Sequence, residues 1–345
     1  MPEFITIDHC GDRSSLRYLA RGDPCSLVML HESAGVIEQY LHAAGRIDDV
    51  VFVLTWSWHC DREKAKTFSA YIDRLCDAFP RQAATIRNNV IFAMNSPEET
   101  RWFSEALPGV RVVTVNNACF LSKDVFRPSR GNLGEISVMN AKPLAFKRHF
   151  LSCLVNPKVF IAYNEEIAKG DTDYRDITKY DAAEIHWDIG ESDVNEINGD
   201  GLCGLALSAI EGACYASTEY LLCGLPVVST ESVGGRDAYY DSENAVMVAA
   251  SPQDVMRGVS TVLARRDEFD RWAIHRRAVA RSREFQHSLA EALAAATSGS
   301  AGQFVSLIED AVCNDNKLWA HRNFWVRELL RPDATERFAS RARSR

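Results

Sequence analysis

The sequence predicts an α/β protein with two doubly wound lobes, each a largely parallel sheet with helices between its strands. Three observations carry this expectation. Short apolar, β-branched runs of strand length alternate with segments of helical period along most of the chain. The alternation pauses around Phe126-Arg-Pro-Ser-Arg-Gly-Asn132, where polarity rises and Pro and Gly cluster, and then restarts. At 345 residues, the chain is also longer than one hydrophobic core usually fills.

In the first lobe the strand-like runs are Phe4–Ile7, Ser26–Leu30, Val50–Leu54, Asn89–Met94 and Arg111–Val115. The clearest helix between them is Arg62–Phe79, with Phe68, Ile72, Leu75 and Phe79 on one face. After the linker come Glu135–Met139, Lys158–Tyr163, Ala183–Trp187, Cys203–Leu207, Pro226–Thr230 and Ala245–Val248. Six strands at this spacing describe a second doubly wound unit. From Ser251 onward the pattern is helical. It includes the basic stretch Ala264–Phe285 and a last segment from Gly302 to about residue 330, joined through Ala294–Gly302. The expected domains are therefore residues 1–130, 131–300, a helical segment at 301–331 and an Arg-rich tail at 332–345.

Composition excludes several classes. With 39 Lys+Arg against 47 Asp+Glu the net charge is −8, which argues against a nucleic-acid-binding surface. Hydrophobic residues make up 46% of the chain, which excludes a disordered protein. Ten scattered cysteines without a C-x-x-C pair read as buried, reduced thiols. No apolar run approaches the ~18 residues of a membrane span, and the opening residues lack the basic region of a secretory signal, so a cytoplasmic location is expected. The arginines of 264–285 raise peripheral contact with an anionic membrane as a further expectation. Oligomeric state leaves no signature.

The chemistry concentrates in Leu207-Ser-Ala-Ile-Glu211-Gly212-Ala213-Cys214-Tyr-Ala-Ser-Thr-Glu219-Tyr-Leu-Leu-Cys-Gly224-Leu-Pro226-Val-Val-Ser-Thr230. A strand ends at Ser208, a turn carries Glu211 and Gly212, and a helix starts near Ala213 and stops at Gly224. Glu211 then lies at the carboxyl end of a strand, where open α/β sheets place ligands, and Glu219 projects from the helix. With seven residues between them, the two carboxylates reach two parts of one bound molecule.

These residues resemble the retaining glycosyltransferases of family 4 (glycosyl transferases group 1), which have the GT-B fold of two Rossmann-like lobes facing across a cleft. The likeness rests on Glu211, seven residues and Glu219, then Leu-Leu-Cys-Gly-Leu-Pro-Val-Val-Ser-Thr and Gly234-Gly235-Arg-Asp-Ala-Tyr-Tyr-Asp-Ser-Glu-Asn-Ala. It implies that Glu211 faces the donor sugar and Glu219 holds the ribose hydroxyls of the nucleotide. Gly212, Ala213 and Cys214 would offer backbone N–H groups to the donor, although Ala213 and Cys214 stand where the family commonly has Phe-Gly. Upstream, Glu135–Met139 reads as the first strand of the second lobe. Lys147 fits the family's lysine for the donor diphosphate, with Arg148 adjacent; the earlier basic position is Asn140, with Lys142 nearby.

By the same resemblance, His186 and Trp187 stand where relatives hold the nucleotide base. The first lobe would hold a glycan, lipid-linked or small-molecule acceptor, with His31 and His59 as candidates, and 301–331 would cross back to it. Fixed cations at a departing diphosphate remove the need for a metal or other cofactor. Asp171-Thr-Asp173 reads as a solvated turn rather than a metal motif. The implied activity is transfer of a sugar from a nucleotide-sugar donor to an acceptor hydroxyl with retention. The alternatives are a nucleotide-sugar epimerase on the same fold, or a non-catalytic nucleotide-sugar-binding protein.

Overall fold

The computed structural model describes residues 15–20, 26–32, 34–129, 131–163, 166, 169–297 and 299–311. The expected strand at Phe4–Ile7, the helical segment beyond 311 and the tail at 332–345 lie outside them. The described residues form two compact units, one reaching to Phe120 and resuming at Phe285, the other Leu121–Glu284.

In the first unit, β1 (Ser15–Ala20), β2 (Ser26–His31), β3 (Val50–Thr55), β4 (Val90–Met94) and β5 (Arg111–Thr114) form one sheet in chain order. All neighbours are parallel except β1 and β2. Strand β1 escapes the sequence pattern because it carries an arginine at its centre and pairs antiparallel rather than through a helical crossover. The connecting helices are α1 (Gly35–Ala44), α2 (Arg62–Ala78), α3 (Ala83–Asn89) and α4 (Pro97–Ala106). Because the described strands run consecutively, these helices share one face of the sheet. Ile37, Ile72, Ile86 and Phe103 join Val28, Phe52 and Phe92 in a single core. Asp61 and Ser96 start α2 and α4 by accepting the N–H groups of Lys64 and Glu99. On the other face, Met29, Val53 and Ile91 are also buried, and a later helix of the same unit packs against β1.

The second unit contains β6 (Ile136–Asn140), β7 (Lys158–Ala162), β8 (Glu184–Trp187), β9 (Gly201–Ala206), β10 (Ile210–Glu211), β11 (Val227–Thr230), β12 (Val233–Gly234) and β13 (Ala245–Val248). Six of them form a parallel sheet in the order β13-β11-β9-β6-β7-β8. The chain starts at β6, moves outward to β8 and returns to β9 on the other side, so the sheet is doubly wound with a switch point between β6 and β9. Its helices are α5 (Glu191–Gly199), α6 (Tyr215–Leu222) and α7 (Pro252–Ala264). α8 (Arg271–Ala296) begins here and ends in the first unit, followed by α9 (Ala301–Ala311), the helix against β1.

The basic stretch 264–285 is not one exposed helix. α7 ends at Ala264, a tight turn spans Arg266–Glu268, and the Asp270 carboxylate accepts the N–H groups of Trp272 and Ala273 at 2.8 and 3.1 Å to start α8. Arg271 is fully buried and donates to the carbonyls of Asn132, Asn198, Gly199 and Cys223. Arg265, Arg276, Arg277 and Arg281 pair with Glu268, Asp270, Asp241 and Glu284. Among the described residues no helix is long and apolar enough to cross a membrane.

Candidate functional site

The site is assembled at the carboxyl ends of the second sheet, beside its switch point. After β6 the chain forms a tight turn, Ala145–Lys147, and reverses at Arg148, whose φ of 54° lies in the left-handed region. That conformation costs a non-glycine residue about 1–2 kcal/mol. The Arg148 guanidinium offsets it by donating to the carbonyls of Leu207, Ser208 and Glu231 and to Thr230 Oγ1. The turn is joined to the loop after β9, because Ala209 N–H donates to Phe146 O at 2.8 Å. Two residues later, Glu211 pairs in β10 with Gly234 of β12. Below this small ribbon, Arg236 is fully buried and donates to the carbonyls of Ser208 and Thr230. Two guanidiniums thus tie the ends of β9 and β11 together and fix where Glu211 emerges.

Lys147 Nζ donates to Glu211 Oε1, and the two side chains are only 13% and 6% exposed. Burial by itself lowers the proton affinity of Lys147, but the charge of Glu211 outweighs it and leaves the ammonium above the ordinary lysine value. Burial pushes the Cys214 thiol up to about 12, with Glu211 adding to the shift, so it is a neutral wall rather than a nucleophile. Lys147, Glu211 and Cys214 line one pocket with Asn140, Ser208 and Tyr220.

Glu219, on α6, is buried and accepts from Asn140 Nδ2 at 3.1 Å, while the Tyr220 hydroxyl accepts the Asn140 N–H. Asn140, which replaces a basic residue of the resembled family, therefore connects the end of β6 to α6. Gly204 in β9 permits this approach, since a Cβ there would lie 2.1 Å from the Tyr220 ring. Gly212 and Ala213 are buried beside Glu211, and α6 starts at Tyr215, two residues later than the sequence pattern suggests.

His186 and Trp187 are not among the pocket's lining residues. They end β8, two strands from β6 or about 10 Å across the sheet. His186 Nε2 lies 2.9 Å from Glu184 Oε2. Asp171 closes a turn by accepting the Asp173 N–H at 2.9 Å, and the Asp173 carbonyl accepts the Ala145 N–H at 2.8 Å. No cluster of three metal-ligating side chains occurs among the described residues.

In the first unit, His59 follows β3 and its Nδ1 is 2.7 Å from Glu99 Oε1. Glu99 is fully buried and also accepts the N–H groups of Cys60 and Asn95 at 3.2 and 2.9 Å. His31 closes β2, but its side chain lies outside the described residues.

Sequence reasoning passed over Arg236, Tyr220 and the role of Asn140 in holding the pocket. The run Gly234-Gly235-Arg236 was the available signal for the first. Tyr220 reads from sequence only as part of an apolar helix face.

The chain matches no protein-family model and no curated protein sequence. Solved structures do resemble it. A glycosyltransferase from Rickettsia africae superposes with a TM-score of 0.55 at 10% identity, covering 83% of this chain and 77% of that one. HepE of Anabaena, solved in complex with UDP, gives a TM-score of 0.52 at 14% identity over 77% of this chain and 78% of its own. The fold is GT-B. At these identities the likeness is one of architecture: two Rossmann-like units, the GT-B plan that the family resemblance implied.

Proposed function

We propose that the chain is a glycosyltransferase that moves a sugar from a nucleotide-sugar donor to an acceptor hydroxyl with retention of configuration. The observation that carries this reading is the pocket at the switch point. There a cation from the turn after β6 and a carboxylate from the ribbon after β9 meet within a Rossmann-like unit of GT-B architecture. Lys147 would hold the donor diphosphate, Glu211 the sugar hydroxyls and Glu219 the ribose. The N–H groups of Gly212, Ala213 and Cys214 would add donors, and His186 and Trp187 would lie toward the base. Arg148 would act through the loops it bonds rather than by direct contact, because its guanidinium already serves four protein oxygens.

In this mechanism the bond between the anomeric carbon and the diphosphate oxygen breaks as negative charge gathers on the leaving group. The Lys147 ammonium stabilises that charge without proton transfer, so no metal is required. The acceptor oxygen attacks the anomeric carbon on the face the diphosphate leaves, and its proton passes to the departing phosphate. The first unit would hold the acceptor, with His31 and His59 as the candidate residues. The arginine pairs of α8 lend no support to membrane contact, and the cytoplasm is the proposed site of action.

The test is thermal stabilisation and nucleotide release with UDP-, GDP-, ADP- and CMP-linked sugars, with and without EDTA. One donor should stabilise the protein and be slowly hydrolysed, unaffected by the chelator. Glu219→Ala should weaken it roughly tenfold or more, since a hydrogen bond to a charged group is worth about 1.5–3 kcal/mol. Binding without any turnover would instead favour a non-catalytic binder, and unchanged affinity in the variant would remove the ribose assignment.

A further inference from the structure

Lys147 and Glu211 are each other's ion-pair partners among the described residues, and both are nearly buried. Their charges cancel within the pocket's lining, which carries no other charged side chain among the described residues. Charges this buried are tolerated when paired, and removing one partner leaves the other uncompensated at high cost. An anion that enters at Lys147 competes with Glu211 for the ammonium and brings a second negative charge beside that carboxylate. What happens next depends on the rest of the ligand. A sugar attached to the diphosphate brings hydroxyl groups that can donate to the freed carboxylate; a bare diphosphate brings none, and its own charge repels Glu211. Arg148 and Arg236 are engaged elsewhere: Arg148 Nε and Nη2 donate to the carbonyls of Leu207, Ser208 and Glu231, and Arg236 donates to Asp237 and to the carbonyls of Ser208 and Thr230.

We infer that the Lys147–Glu211 pair is an exchange latch that makes the pocket favour the intact nucleotide sugar over a diphosphate lacking its sugar. Glu211 competes with phosphate for Lys147 and concedes only to a ligand that satisfies it in turn. Once the sugar has left, the pair re-forms and weakens the hold on the product. The inference rests on the donor-site reading above, and assigns Glu211 a role in discrimination and product release as well as in sugar contact.

Calorimetric titration of the full chain with inorganic pyrophosphate tests it, using wild type, Glu211→Gln and Lys147→Met, each checked for an intact melting transition. Glu211→Gln should bind pyrophosphate roughly tenfold more tightly than wild type, because a buried charged competitor has been removed. Lys147→Met should lose that binding. Glu211→Asp, which keeps the charge but draws it back from Lys147, should lie between and serves if the glutamine variant does not fold. Pyrophosphate bound no tighter by either Glu211 variant overturns the latch, and so does an absence of binding throughout. If nucleotide sugars bind wild type but Glu211→Gln gains nothing, the donor site stands and the latch falls. If the variant gains pyrophosphate affinity while no nucleotide sugar binds wild type, the latch stands and the donor reading falls.

Discussion

At the scale of single residues, the turn after β6 shows how far packing departs from sequence appearance. Lys147, Arg148 and His149 are consecutive basic residues, yet the three side chains have three different fates. Lys147 enters the pocket, Arg148 folds back onto carbonyls, and His149 is buried, its ring edge-on to Phe160 at a centroid distance of 5.3 Å. Burial first, and the nearby Lys147 charge second, lower the His149 pKa from 6.5 to about 3. The folded protein thus holds fewer protons on this residue than the unfolded chain between those values. The stability His149 contributes is complete above about pH 6.5 and is lost as pH falls toward 3, at no more than about 1.4 kcal/mol per pH unit. His149→Leu should therefore flatten the decline of unfolding free energy between pH 6.5 and 4, measured by urea denaturation; an identical slope would show that another group carries it. Glu211 could be placed at the carboxyl end of a strand by counting along the chain, whereas Lys147 was singled out by the family resemblance. Arg236 and Asn140 were not legible, because what they do depends on carbonyls and carboxylates far away in sequence.

At the scale of elements, α6 connects the site to the core of its unit. It stops at Gly224, whose φ of 74° and bonds Gly224 N–H to Leu221 O at 3.0 Å and Leu225 N–H to Tyr220 O at 2.9 Å form a Schellman cap. A Cβ at this position would stand 2.5 Å from the Arg271 carbonyl oxygen. Gly224→Ala should cost about 2 kcal/mol or more, from the left-handed conformation and the clash together, and should also loosen Glu219 and Tyr220 on the same helix. Chemical denaturation checks the first part; a variant as stable as wild type would mean that α8 can move aside. The parallel strands were readable because strands buried on both faces leave continuous apolar runs. β1 and the break between α7 and α8 were less so. The former lacks such a run, and the latter depends on Asp270 capping a helix whose first residue, Arg271, is buried for its carbonyl partners rather than exposed for its charge.

At the scale of the whole molecule, each unit has its own sheet and its own buried core. Phe92 lies at the centre of the first, fully buried among Trp56, Phe68 and Phe103 at ring distances of 6.0, 5.4 and 5.6 Å. Phe92→Leu should lower the melting temperature by disturbing that cluster, yet leave the affinity for the donor that binds wild type within about twofold at 10 °C, since the pocket lies wholly in the other unit. A parallel loss of affinity would show that the two cores are energetically joined.

The sequence by itself determined the alternation of strands and helices, its arrangement in two α/β units and the segment that carries Glu211 and Glu219. These follow from local periodicity and turn chemistry, which act over a few residues. Only the tertiary structure decided that Glu211 meets Lys147 while Glu219 meets Asn140. It also decided that one arginine of a basic stretch is a buried brace and that a histidine beside two cations is neutral. Those outcomes depend on burial and on partners 64 and 79 positions apart, which no local pattern encodes.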